Sequence, residues 1–228
     1  MKINTPSPGK RRQRPPTESP PCWQAYRTLR GGKRDRALLT LGFAGAFRRS
    51  ELVALEVADL ALEPDGLRIQ IRHSKTDQEG QGHEIATPRG ETLRPVAAVQ
   101  AWFAAAKISD GPVFRSINRH GRMSGVLTAQ SVALIVKFYP DAAGLDPRAF
   151  AGHSLRAGFL TSAAEAGADV LRMMEVSRHK RVETVQGYVR RQTCSKGMSE
   201  SGSFKANWDS LIGAVSQACK NILRLVSI

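Results

Sequence analysis

Six side chains of this 228-residue chain have the chemistry to handle a phosphodiester. His153 and Arg156 stand at i and i+3 in His153-Ser154-Leu155-Arg156, so on a helix both point to one face. An imidazole can move a proton near neutral pH. A guanidinium stays charged and forks onto phosphate oxygens. Arg48, in Arg48-Arg49-Ser50-Glu51-Leu52, has apolar neighbours on both sides that would hold its head group in place. His179 is followed nine residues later by Tyr188, one of three tyrosines in the chain. A phenol is a poor nucleophile at neutral pH unless cations or a base activate it, and the groups just named could do so. Lys75 lies in a polar, Gly-rich stretch, residues 74–82, from which a lysine could reach into a site as a mobile general acid. Taken singly, each piece has a plainer reading: a surface arginine at a helix end, a capping His–Arg pair, a core tyrosine, a solvated turn lysine. As a set they suit a phosphodiester transition state, which gathers negative charge on its non-bridging oxygens. Losing one donor to such charge typically costs roughly 3–4 kcal/mol.

The elements that must position these residues can be read from hydrophobic period. Apolar residues at helical spacing predict helices over residues 34–47 and 50–57, with Arg48 at their junction. The alternation in Leu67-Arg68-Ile69-Gln70-Ile71-Arg72 predicts a half-buried strand, and residues 84–87 a return strand, so that Lys75 rides the tip of a hairpin. Pro95 opens a helix to about residue 107, as proline suits the first helical turn. A short third strand is expected at Val113-Phe114. Thr128 is a candidate N-cap for a helix that reaches Tyr139 and is interrupted or ended by Pro140. Further helices are expected over residues 154–165, 169–177 and 183–190, the first closed by Gly167. The fold class is therefore mainly α with one small antiparallel β-sheet (α+β).

Composition sets the outer bounds. Apolar residues make up 41% and charged residues 24%, ordinary for a globular chain able to bury a core. Thirty-four Lys and Arg face 20 Asp and Glu, a formal net charge of +14. Residues 1–36 hold ten of the basic and two of the acidic residues. Such a field favours nucleic acid first and anionic membrane second. No run of 18 apolar residues predicts a membrane span, and the Pro- and Arg-rich start is unlike a secretory signal. Cys22, Cys194 and Cys219 form no CxxC pair, which argues against a disulfide framework or a zinc site and for a reduced, cytoplasmic protein. Residues 1–21 read as a disordered basic tail. Residues 22–192 read as the folded domain, and 193–228 as a Ser/Gly-rich linker and a C-terminal amphipathic helix.

From about Arg34 to Arg190 the chain resembles the tyrosine recombinases, the phage-integrase family. The stretches that carry the resemblance are RDRALLTLGFAGAFRRSELVAL, HSKTDQEGQGHEI, AGLDPRAFAGHSLRAG and SRHKRVETVQGYVR. The resemblance implies that family's catalytic-domain fold and the cleavage and rejoining of double-stranded DNA through a 3′-phosphotyrosyl intermediate. It makes Arg48 and Arg156 the clamp on the scissile phosphate and Lys75 the proton donor to the leaving 5′ oxygen. His153 becomes an acid/base near the tyrosine, His179 a hydrogen-bond donor to the phosphate, and Tyr188 the nucleophile. Glu51 falls where the family has an acidic residue supporting the first arginine. No metal or other cofactor is required, and assembly as a tetramer on DNA is expected. Two features depart from the family. Arg178 stands before the second histidine where glycine is usual. The helical core-binding domain that usually precedes the catalytic one has no counterpart in the 33 residues before the match. The alternative reading is therefore a truncated remnant that binds DNA without cutting it. A weaker alternative is relaxation of the topoisomerase IB type.

Overall fold

The computed structural model describes residues 29–72, 82–118, 120–142 and 146–193. The basic tail at 1–21, the hairpin tip with Lys75 and the C-terminal stretch from 194 lie outside the described residues.

The centre of the fold is α1 (Arg30–Ala44), whose residues are buried almost all round. Ala37, Leu38, Leu39 and Leu41 are fully enclosed, and a helix apolar on every side belongs inside a core. It runs four residues further upstream than period alone indicates, and it stops at Ala44 rather than Phe47. A break at Gly45-Ala46-Phe47 separates it from α2 (Arg49–Ala54), with Ala46 in the left-handed region at φ 47°. Gly42 allows the close approach here. A Cβ on it would sit 2.8 Å from Leu155 Cδ1 and 2.9 Å from Leu52 Cδ1. The absence of a side chain thus lets α1, α2 and α5 (Ser154–Glu165) meet at one end.

Three antiparallel strands follow in the order β1 (Leu60–Leu62), β2 (Gly66–Ile71) and β3 (His83–Pro88). Ile71 pairs with His83 at the end of the β2–β3 ladder. Arg72, just past β2, donates to Asp59 Oδ1 at 2.5 Å and pairs with Glu56 at 3.2 Å, tying the hairpin base to the 3₁₀ turn Val57–Asp59. β1 is an addition to the predicted hairpin. Its Ala61 and Leu62 are exposed, so backbone pairing rather than burial makes it a strand.

Helix α3 (Pro95–Ala106) packs along α1 and carries the fully buried Trp102, whose Nε1 donates to Val113 O at 2.8 Å. Val113 and Phe114 are themselves fully buried, and the second sheet begins one residue later, as β4 (Arg115–Ile117) paired with β5 (Met123–Val126). The expected single sheet is thus two sheets, and Val113-Phe114 is core rather than strand. Helix α4 (Ala129–Ala142) keeps Pro140 in its last turn. Tyr139 beside it is buried and donates to Asp35 Oδ2 at 3.3 Å, while Arg34 salt-bridges Asp35 at 2.7 Å. That buried cluster fixes α4 against α1. Helices α6 (Val170–Ser177) and α7 (Val182–Thr193) complete the described chain and pack on α5. None of the described helices is long and apolar enough to cross a membrane.

Candidate active site

The break after α1 organises the site. The carbonyls of Gly45 and Ala46 lie just past the end of α1, where the negative end of the helix dipole favours cations. Arg156, in the first turn of α5, donates through one terminal nitrogen to Ala46 O at 3.0 Å. Arg178 donates to Gly45 O and Ala46 O, each at 3.1 Å. Two guanidiniums from segments more than a hundred residues downstream therefore share one carbonyl (|i−j| 110 and 132).

Arg48 stands just before α2. Its backbone N–H donates to Glu51 Oε2 at 2.9 Å, and its guanidinium donates to Oε1 at 2.6 Å. Glu51 is only 2% exposed. It is shared, because Arg178 also reaches Oε2 at 2.7 Å. Burial opposes the charge on Glu51, but the field of Arg178 and the bonds from Arg48 outweigh it and hold the carboxyl below its usual range. Arg156 is 6% exposed. Burial first, and then repulsion from Arg48 and Arg178, bring its guanidinium down to about 9, which still leaves it charged at neutral pH.

His179 lies against Arg156, with Nδ1 3.4 Å from a guanidinium nitrogen and 2.8 Å from Ser177 Oγ. A guanidinium can only donate, which casts Nδ1 as an acceptor, whereas Ser177 Oγ already donates to Met173 O at 2.5 Å and can only accept from an Nδ1–H, so the two contacts call for opposite tautomers. Burial, then Arg156, Arg48 and Arg178, push the imidazole down to about 4. It is therefore a neutral N–H donor at physiological pH. The sign for stability follows. Between about pH 6.5 and 4 the unfolded chain takes up a proton at this position that the folded chain refuses. Stability from this group is complete above pH 6.5 and lost as pH falls towards 4. Thermal melts across that window should show His179→Gln with a shallower acid decline than the parent. Identical slopes would mean that the ring titrates normally.

Tyr188 projects from α7, half-buried against the core. Its electrostatic influence reaches Arg156, where it favours the charged guanidinium. His153 immediately precedes α5 and is exposed. Its carbonyl accepts from Ala157 N at 2.9 Å. Its side chain makes no hydrogen bond with the other site residues among those described. Five of the six residues singled out by type and spacing fall within the described residues. Of these, Arg48, Arg156, His179 and Tyr188 are joined by direct bonds, by the shared Glu51–Arg178 network or by their mutual fields. Among the described residues no three His, Cys, Asp or Glu side chains form a set that could hold a metal ion.

Sequence reasoning undervalued Arg178, which stood out only as a departure from glycine. It ends α6 at φ 56° and ψ 41°, a left-handed conformation costing a non-glycine residue about 1–2 kcal/mol. An arginine held there against backbone preference, next to a site histidine, is the signal that could have drawn attention to it.

The architecture is that of the tyrosine recombinase catalytic domain. A TM-score of 0.57 relates it to the XerH site-specific recombinase, solved bound to palindromic difH substrate in a post-cleavage complex, at 18% identity over 73% of this chain and 45% of that one. The XerA recombinase follows with a TM-score of 0.52 at 17% identity, over 83% and 66% of the two chains. Residues 23–194 match the family model described as Phage integrase family, and the chain belongs to that family. An integrase/recombinase xerD homolog of Selenomonas ruminantium is 48% identical over 161 residues, 69% of this chain and 47% of that protein. Tyrosine recombinase XerD of Xanthomonas axonopodis pv. citri (strain 306) is 32% identical over 159 residues, 69% and 50% of the two. The chain spans about half the length of these relatives.

Proposed function

We propose that this chain is the strand-cleaving part of a site-specific DNA recombinase acting on double-stranded DNA in the cytoplasm. Tyr188 Oη attacks the scissile phosphorus and the P–O5′ bond breaks. The phosphate stays on the tyrosine as a 3′ ester, and the departing 5′ oxygen takes a proton from Lys75. A 5′ hydroxyl from the partner strand then reverses the step and regenerates the phenol, so no external energy source is consumed. Arg48 and Arg156 hold the non-bridging oxygens, and His179 hydrogen-bonds the same phosphate. His153 exchanges the proton of the phenol. Held in place before the substrate arrives, these cations and donors stabilise the transition state without reorganising. The supporting observation is that Arg156 bonds Ala46 O and lies against His179, with Arg48 and Tyr188 within electrostatic reach of it. Tetrameric assembly on two duplexes belongs to the same reading.

The test is covalent trapping. The full chain is incubated with a pool of nicked duplexes of randomised sequence and separated on a denaturing gel, and the DNA attached to protein is sequenced. A protein-linked product carrying a common sequence is expected. DNA binding without any adduct would make the chain a binding module instead.

The N-terminal segment is part of the proposal. Residues 1–21 contain Lys2, Lys10, Arg11, Arg12 and Arg14 and only one acid. Their deletion should weaken binding to any duplex. The slope of log affinity against log salt should flatten by about 0.9 for each phosphate that the tail no longer neutralises, with sequence preference unchanged. An unaltered slope in fluorescence-anisotropy titrations would show that the tail does not touch DNA.

A further inference from the structure

We propose that Arg178 is a positioning residue that fixes both arginines of the phosphate clamp through one buried guanidinium. The idea rests on the strand-cleavage reading above for its consequence, and on geometry alone for its mechanism. Arg178 is 7% exposed, so it does not itself face a substrate. One terminal nitrogen donates to Gly45 O at 3.1 Å and to Val176 O at 2.6 Å. The other donates to Ala46 O at 3.1 Å and to Glu51 Oε2 at 2.7 Å. The guanidinium also lies over the Phe47 ring, 5.3 Å from its centroid. Three of these partners, Glu51, Ala46 and Phe47, bond a clamp residue or flank one. Glu51 holds both the backbone N–H and the guanidinium of Arg48. Ala46 O holds Arg156. The Arg178 backbone, at φ 56°, turns the chain from α6 into His179, which rests on Arg156.

Only a planar fork satisfies these acceptors together. A lysine could keep the Glu51 charge paired, but its three N–H donors sit on one nitrogen and fall short of the four acceptors, Glu51 and the three carbonyls of Gly45, Ala46 and Val176. A glycine would fit the left-handed backbone better and would leave a guanidinium-sized cavity lined by a carboxylate and three carbonyl oxygens. A misplacement of about 1 Å in a reacting constellation can cost about a hundredfold in rate. Removing the fork should therefore act on the chemical step more than on DNA capture, whose phosphate contacts are spread over the basic surface.

The experiment uses the full chain and a nicked duplex recovered from the trapping selection. Arg178→Gly should slow single-turnover adduct formation at saturating protein by about a hundredfold, with DNA affinity within about threefold of the parent. Arg178→Lys, which retains the charge and guards against a folding failure of the glycine variant, should still be slowed at least about tenfold. Millimolar guanidinium should restore the glycine variant by refilling the cavity, whereas urea, neutral and similar in shape, should not. A residue with a merely stabilising role would not be rescued by a denaturing cation. Parent-like rates in both variants, or losses confined to affinity, would overturn the proposal. A crystal structure of Arg178→Gly tests it without any cleavage assay. The Arg48 and Arg156 head groups should be displaced relative to each other, and unmoved head groups would refute positioning. Displacement in the crystal, with no adduct from the parent on any DNA, would sustain the positioning role and remove the strand-cleavage reading.

Discussion

Tyr188→Phe is expected to abolish the protein–DNA adduct, a loss of about 10⁴-fold or more, as when other enzymes lose their nucleophile. The variant removes one oxygen and leaves the ring. That ring packs against the core with Val185 and Val189 of the same helix, so folding should be little changed. DNA affinity should stay within about threefold, because the phosphate contacts belong to the cations. The other tyrosine in the described residues cannot substitute. Tyr139 is 1% exposed and bonded to Asp35. Denaturing electrophoresis of both proteins with the trapping duplex gives the answer, and an adduct formed by the Phe variant at the parent rate would assign the attack to another group.

Glu51→Ala should produce the largest loss of stability. The carboxylate is the acidic partner of two arginines, and Arg178 is buried nearly as deeply as Glu51 itself. Removing one member of a buried pair leaves the other charge uncompensated and typically costs about 3–5 kcal/mol. In a chain of this size that corresponds to a fall in Tm of about 10 °C. Adduct formation should fall with it even at temperatures where the variant is folded, since Arg48 loses its anchor. The parent's stability from this group is present at neutral pH and disappears as acid protonates the carboxyl, whose pKa lies below its usual range. Scanning calorimetry of parent and variant checks the magnitude. A drop of only a degree or two would mean that water or another group takes over the carboxylate's place beside the arginines.

The two expectations draw on different levels of information. Tyr188 was singled out by its spacing from a histidine, a local fact, and Glu51 by the family resemblance; the Arg48–Glu51 pairing itself is local. Three residues apart at a helix start, they can hardly avoid each other. Helix and strand periods were equally local, and the hairpin, α3, α5 and α7 lie where the patterns place them. Other features depended on neighbours distant in sequence. Leu60-Ala61-Leu62 has an exposed apolar residue and no alternation that buries it, so only the pairing with β2 makes it a strand. Val113-Phe114 has strand-like residues, yet Trp102 bonds the Val113 carbonyl and the core encloses both side chains. Pro140 would end a helix by local rule, but the turn that contains it is held through Tyr139 and Asp35.

The sequence by itself determined which groups could do the chemistry and on which elements they ride, because residue type, spacing and period are properties of a short stretch of chain. The tertiary structure alone decided that Arg48, Arg156, His179 and Tyr188 come together. Arg156 reaches Ala46 across 110 residues and Arg178 reaches Glu51 across 127. No local pattern encodes such closures, because they depend on a glycine letting three helices approach and on the Gly45 and Ala46 carbonyls past the end of α1 receiving cations from distant segments. The same closure turned Arg178 from a misfit at a turn into the centre of the site. Its role is set by what surrounds a buried guanidinium, and burial exists only once the chain has folded.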